Sequence, residues 1–213
     1  MTEVEHVTTS REDIYRLLAA CYYSPNASLF EEDCCASLAI LLEGKSAEAV
    51  QHARAAADAL KGVSAEALAV EHARLFVGPF QLVAPPYGSI YLDETKTVMG
   101  DSTARVAAFY HKCGLHLTDD FHELPDHIAV ELEFMSFLAF KQREAETSGN
   151  ADDVAQAKSL QREFLRTFLL PWLPLFTMAV IDDGEAPFYQ AIARCSAAFI
   201  TADYEALSRE NHG

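Results

Sequence analysis

A chain of 213 residues can bury a substantial core, and with half of its residues hydrophobic it is not a disordered segment. Lys and Arg number 16 against 32 Asp and Glu, a formal net charge of −16. A surface of that sign repels phosphate backbones and anionic lipid headgroups, so no nucleic-acid partner is expected. The same charge favours a basic partner, although solubility alone also accounts for it. The cysteines, Cys21, Cys34, Cys35, Cys113 and Cys195, are odd in number and include no Cys-x-x-Cys spacing. That argues against a disulfide framework or a zinc site and fits a reducing compartment. The segment from Met1 to Arg11 is polar and acidic, and no apolar run reaches about 18 residues. The expectation is a cytoplasmic protein with no stable membrane insertion.

Helical periodicity dominates the chain. Ile14, Leu17, Leu18, Cys21 and Tyr22 lie at helical spacing behind Ser10, an expected N-cap, and Ser24-Pro25 stops the run. Ser28 with Glu31 reads as a capping box before a stripe of Phe30, Cys34, Leu38, Leu41 and Leu42, ended by Gly44. An Ala-rich helix spans Ser46 to Lys61. Ser64 opens a fourth that carries His72, Leu75 and Phe76 up to Gly78-Pro79. From Gly78 to Asp101 the pattern breaks into a loop, with Ser89 to Leu92 as a candidate extended piece; long loops inside compact domains are usually functional. Helix resumes with Val106, Phe109 and Tyr110, and Ser102 is its expected N-cap. Pro125 marks the first turn of the next, whose stripe is Ile128, Leu132, Met135 and Leu138. Glu144 to Asp153 reads as a polar connection, Val154 to Leu170 as a helix ended by Pro171-Trp172-Leu173-Pro174. Two further helices follow, one before Asp182-Asp183-Gly184 and one from Pro187 to about Leu207. The expected architecture is all-α, one compact multi-helix domain over residues 1–213.

Two stretches carry the functional signal. The loop is rich in aromatics and prolines and holds no Lys or Arg between Arg74 and Lys96. Prolines fix the backbone, so its apolar side chains are either held out for an apolar peptide or packed down on the helices. Cys113 to Phe140 also lacks Lys and Arg, and contains Asp119, Asp120, Glu123, Asp126, Glu131 and Glu133 with His116, His122 and His127. Asp126 and His127 fall at a helix start, where side chains face outward. There Asp126 either pairs with a guanidinium or compensates the helix dipole.

The series Leu75-Phe76-Val77-Gly78-Pro79, Pro85-Pro86-Tyr87-Gly88-Ser89-Ile90-Tyr91, Gly100, Phe109-Tyr110, Gly114-Leu115 and Pro125-Asp126-His127 followed by Glu131-Leu132-Glu133-Phe134-Met135 resembles the TorD/DmsD group of redox-enzyme maturation chaperones. The specific motifs lie within about residues 71 to 138. The resemblance implies an all-α fold, no catalytic activity and no cofactor or metal. It also implies binding of the twin-arginine leader, with its apoenzyme, of a molybdenum oxidoreductase of the dimethyl sulfoxide reductase type, as a monomer or a domain-swapped dimer. Carried over by position, the peptide-binding pocket falls on Leu75, Phe76, Pro86, Tyr87, Gly100, Asp126 and His127. Where some members have tryptophans this chain has His72, Phe80, Tyr87 and Tyr91, and its one Trp is Trp172. A related branch, assembly factors for nitrate reductase, implies a partner terminus without a twin-arginine motif.

Other chemistry is thinly represented. Gly44-Lys45-Ser46 looks like the end of a phosphate-binding loop, but Ala39 stands at the upstream glycine position and no strand precedes it. Gly100-Asp101-Ser102-Thr103-Ala104 approximates a hydrolase nucleophile elbow with Ser102 as nucleophile, without its last glycine or the alternating βα pattern. A di-metal carboxylate bundle needs two Glu-x-x-His pairs, and only Glu3 with His6 has that spacing.

Overall fold

A computed structural model describes residues 11–25, 33–78, 83–116 and 123–209. Its elements are α1 (Arg11–Tyr22), α2 (Cys34–Leu41), α3 (Ala47–Ala59), α4 (Ala65–His72), α5 (Gly88–Leu92), α6 (Asp101–Lys112), α7 (Ile128–Ser148), α8 (Ala151–Phe164), α9 (Leu173–Asp182) and α10 (Pro187–Arg209). α4 and α8 each run on into one π-helical turn, Ala73–Val77 and Leu165–Leu169. The all-α expectation holds, with no strand among the described residues. Ser10, Ser28, Phe30, Glu31, Pro79, Phe80, Asp119, Asp120 and His122, as well as Glu3 and His6, lie outside those residues.

The core forms because each long helix presents an apolar stripe to its neighbours. α1 buries Ile14, Tyr15, Leu18, Cys21 and Tyr22 and lies chiefly against α7, which packs α8 on another side. α10 buries Phe188, Ile192, Cys195, Phe199 and Ile200 and lies chiefly against α3, with α9 beside it. One continuous cluster of buried side chains joins these elements. Caps set the helix starts where the sequence places them: Ser46 Oγ accepts from Ala49 N–H (3.3 Å) and Ser64 Oγ from Ala67 N–H (3.2 Å). Gly44 therefore closes one helix and Ser46 opens the next, which accounts for Gly44-Lys45-Ser46 without a phosphate.

A polar network ties the start of α1 to three other helices. The Arg11 guanidinium grips both oxygens of Asp203 (2.7 Å each) and donates to Gln161 Oε1 (2.7 Å) and Gln142 Oε1 (3.0 Å). Tyr15 Oη donates to Asp203 Oδ2 at 2.7 Å. Every group in this network finds a partner of the right polarity, which is the condition for burying charge at low cost.

Three local expectations are corrected. Glu144 to Asp153 is not a connection: α7 continues to Ser148, only Gly149 and Asn150 interrupt, and Asn150 caps α8 through Asp153 N–H (3.3 Å). Gly149 takes a left-handed φ of 71° to make that turn. Ser89 to Leu92 is the short helix α5, not an extended piece; the extended residues are those just before it. Ser102 is not the N-cap of α6. Gly100 holds that position, and the Asp93 carboxylate serves as the cap, accepting from Ser102 N–H (3.1 Å) and from Ser102 Oγ.

Candidate functional site

The described part of the loop, residues 83–100, is pinned to the start of α7 by a short backbone clasp. Ile128 N–H donates to Pro86 O (2.8 Å), Gly88 N–H to Asp126 O (2.9 Å), and Tyr87 and His127 face each other as an isolated antiparallel bridge. Asp126 adds its side chain: Oδ2 accepts from Ser89 N–H at 2.8 Å, where it satisfies a free donor at the start of α5. Ala84 N–H donates to Leu75 O (3.0 Å), so the loop is also tied to the π turn that ends α4.

Beneath the clasp lies the aromatic interior. Phe76 is 4% exposed and touches the rings of Tyr22, His72, Phe176 and Tyr189, with centroids 5.1–6.3 Å away; Leu75 is fully buried. Tyr91 stacks on Trp172 (5.7 Å), and α5 rests on the same indole, where a Cβ on Gly88 would stand 3.1 Å from Trp172 Nε1. Leu75 and Phe76 are therefore core residues that support the loop from below. Gly100 supports it from the far end, since a Cβ there would collide with the Asp93 carboxylate that caps α6.

Asp126 and His127 do not face outward. Asp126 is fully buried and His127 is 5% exposed, because the clasp turns the residues before α7 inward. His127 caps its own helix, Nδ1 accepting from Ala129 N–H at 3.1 Å, a bond that requires that nitrogen unprotonated. Burial, reinforced by the charge of His72, lowers its pKa to about 4. The ring is therefore neutral throughout the physiological range and is no proton switch near neutrality. Glu131, one turn into α7, is 1% exposed and accepts from Trp172 Nε1 at 3.4 Å. Burial and the Asp126 charge hold its carboxyl well above the usual carboxylate range. Asp126 Oδ1, Ser89 Oγ and Tyr91 Oη are buried without a hydrogen-bond partner.

Outside this buried layer, the face beside His127 carries two tyrosine–carboxylate pairs. Tyr87 Oη donates to Glu123 Oε2 at 3.4 Å and its ring meets His127 edge-on at 5.2 Å. Tyr23 Oη donates to Glu133 Oε2 at 3.0 Å and its ring stacks on His127 at 6.0 Å. Burial and the Glu123 carboxylate push the Tyr87 phenol up to about 12, and burial with Glu133 raises Tyr23 likewise. Partial desolvation also raises the Glu133 carboxyl, with no cation offsetting it.

The structure thus brings Pro86, Tyr87, Asp126 and His127 together, places Leu75 and Phe76 below them, and leaves Gly100 at the other end of the loop. Sequence reasoning noticed Glu123, Glu131 and Glu133 only as members of a cation-free stretch, and Tyr23 gave no signal at all. Ser102 donates its hydroxyl to Asp93, and among the described residues no histidine bonds to it, so the hydrolase arrangement is not assembled.

The fold and the site define an all-α chain in which a clasped loop and the start of α7 present an acidic, aromatic face. A family model described as the nitrate reductase delta subunit matches residues 42–178. The Tat proofreading chaperone DmsD of Salmonella typhi is 31% identical over 131 residues, 62% of this chain and 57% of the relative. The chaperone protein TorD of Vibrio vulnificus strain YJ016 is 29% identical over 140 residues, 66% of this chain and 64% of the relative. The matches span less than two thirds of the length of these relatives. A crystal structure of an Archaeoglobus fulgidus protein assigned to redox enzyme maturation superposes with a TM-score of 0.53 at 25% identity, covering 92% of this chain and 98% of that one. The chain belongs to the nitrate reductase delta subunit family, in its TorD/DmsD group.

Proposed function

We propose that this chain is a non-catalytic chaperone that binds the twin-arginine leader of a molybdenum oxidoreductase of the dimethyl sulfoxide reductase type and holds the apoenzyme during maturation. Residues 1–213 act as one helical domain in the cytoplasm. The observation that carries the reading is the unpaired acidic and aromatic face at the Tyr87–His127 bridge, in a chain of net charge −16. A basic peptide is drawn there by the field and held by local contacts. Tyr87 lies on the face; the buried Pro86, His127, Leu75, Phe76 and Asp126 and, at the far end of the loop, Gly100 hold it in place. Among the described residues no single helix is long and apolar enough to cross a membrane.

The test is fluorescence anisotropy with a labelled leader peptide of such an oxidoreductase, beside the same peptide with its arginine pair changed to alanines. Saturable binding of the first and loss of affinity for the second is the expected result. Equal binding of both removes the twin-arginine reading. It then favours the second one, which the description of the matching family model supports: assembly of a nitrate reductase through a terminus without that motif.

A further inference from the structure

Three of the five cysteines meet where the end of α1 packs on the start of α2, a place that the proposed function does not use. Cys21 is buried, and its thiol hydrogen-bonds with those of Cys34 and Cys35. Cys34 Sγ also reaches Leu17 O, one turn before Cys21, at 3.9 Å. The hydrogen bonds with Cys34 and Cys35, and burial after them, push the Cys21 thiol well up, so the centre of the cluster rests as a neutral thiol. Among the described residues no three His, Cys, Asp or Glu side chains are placed to hold a metal ion. The chemistry left to neighbouring thiols is oxidation to a disulfide.

Cys21 is the member that both possible bonds share. Cys34 and Cys35 are consecutive residues of one helix, so their side chains leave it about 100° apart and do not face each other. Cys34 is 4% exposed against 1% for Cys21 and Cys35, and it is the first residue of α2. That helix start is weakly held. Its N-cap, Asp33, takes a left-handed φ of 46° and makes no side-chain cap bond, whereas Ser46, Ser64, His127 and Asn150 each cap their own helices. A non-glycine residue there is strained, and an uncapped first turn opens at lower cost than the body of a helix. Opening it brings Cys34 to solvent while Cys21 stays on α1. Of the other cysteines, Cys195 is committed to Ala49 O at 3.4 Å, and Cys113 lies half-buried beside Lys112 and Glu163.

We propose that Cys21, Cys34 and Cys35 are an oxidation site, at which hydrogen peroxide closes a reversible disulfide between α1 and α2. The Cys34 sulfur takes one peroxide oxygen: the S–O bond forms, the O–O bond breaks, water leaves and Cys34 becomes a sulfenic acid. The Cys21 sulfur then attacks the Cys34 sulfur, the S–O bond breaks, and hydroxide leaves as water with the Cys21 proton. Two electrons pass from the pair of sulfurs to the peroxide. The Cys35 thiol exchanges into the bond, and a dithiol reductant reopens it. A small neutral oxidant suits a buried site in a chain of net charge −16, which repels anionic disulfides. In a reducing compartment such a bond is transient. A covalent bond holds two sulfurs closer than a hydrogen bond does, so closing it draws the end of α1 towards α2. Tyr23, two residues beyond Cys21 and bonded to Glu133 at 3.0 Å, moves with it. The inference is independent of what the face binds.

The test treats the full chain, carrying Cys113→Ser to remove the most accessible thiol, with hydrogen peroxide under native conditions. It is then unfolded and alkylated with N-ethylmaleimide. The untreated chain should take up maleimide at all four remaining cysteines and the oxidised chain at two, and dithiothreitol should restore the four. Proteolysis after Glu31 and Glu32 separates Cys21 from Cys34-Cys35, and the oxidised digest should hold the two pieces joined until it is reduced. Cys21→Ser should lose the bond entirely, and Cys34→Ser should slow its formation about tenfold, leaving Cys21 to pair with Cys35. Circular dichroism checks that each variant is folded, and the digest of the chain that keeps Cys21 decides without them. The Tyr23 and Glu133 resonances in NMR spectra should shift on oxidation and return on reduction. Four maleimides after oxidation, sulfonic acids in place of the joined pieces, or a bond that persists in Cys21→Ser overturns the proposal. Joined pieces with unmoved Tyr23 resonances overturn its link to the face.

Discussion

The molecule handles buried carboxylates in two opposite ways. At one end, Asp203 receives both arms of Arg11 and the Tyr15 hydroxyl, and the two glutamines around them complete the network. At the other, Asp126 and Glu131 share a buried layer with, among the described residues, no cation in contact; there Asp126 takes one amide and leaves Oδ1 unpartnered, and Glu131 has an indole as its one donor. Burial without pairing costs free energy, so the second arrangement is not there for stability. Helix α1 links the two: its first residue closes the satisfied network, and Tyr23, just beyond its last, reaches the unsatisfied face. One end fixes the helix and the other presents what the fixed helix positions.

If that division is right, substitutions at the two ends and in the layer between should differ in size and even in sign. The largest effect is expected at Phe76, which the structure places among four aromatic rings. Phe76→Ala should cost about 3–5 kcal/mol by chemical denaturation, the cost of an aromatic cavity in a packed core. A loss well below 1 kcal/mol together with weaker peptide binding would return Phe76 to the surface role. The next effect compares two aspartates directly. Asp203→Asn breaks a bidentate pair and should cost about 3 kcal/mol, at the low end for buried pairs because Arg11 is one fifth exposed. Asp126→Asn removes a charge that no cation balances while its amide oxygen still accepts from Ser89, so it should cost about 1 kcal/mol or less. Equal losses at the two sites would break the comparison.

Much of the helical framework is legible in the sequence because caps and stripes are local. Ser46, Ser64 and the break around Trp172 fall where their residue types require. The failures have tertiary causes. Glu144 to Asp153 looks like a connection because it carries no apolar stripe; what sustains helix there is surface pairing, Lys141 to Glu144 at 2.7 Å and Gln142 to Glu146 at 2.8 Å, one turn apart. Asp126 and His127 look outward because a helix start usually is. Whether they turn in depends on a partner strand-like segment, Pro86 to Gly88, some forty positions earlier in the chain. The site's loop and its acidic stretch are visible as composition, but the pairing of Tyr23 with Glu133 joins two helices 110 positions apart. No local pattern encodes it.

The effect with opposite sign, which vanishes in acid, is expected at Glu131. Burial first, and the Asp126 charge second, hold its carboxyl well above the ordinary value of 4.5. The folded chain therefore binds that proton more tightly than the unfolded chain does. The stability this gives is fully present below pH 4.5, where both states are protonated, and is lost as pH rises towards the folded value, because only the unfolded chain releases the proton there. The loss runs at no more than about 1.4 kcal/mol per pH unit. Glu131→Gln keeps the shape and an acceptor for the Trp172 N–H but cannot ionise. Melting curves of the two proteins should therefore lie close together in acid and separate above pH 4.5, with the variant the more stable; carboxylates that do not interact with Glu131 cancel in the difference. Parallel curves across that range would mean that Glu131 titrates normally, that water or a cation reaches it, and that the layer beneath the clasp is not the unpaired interior on which the contrast with Asp203 depends.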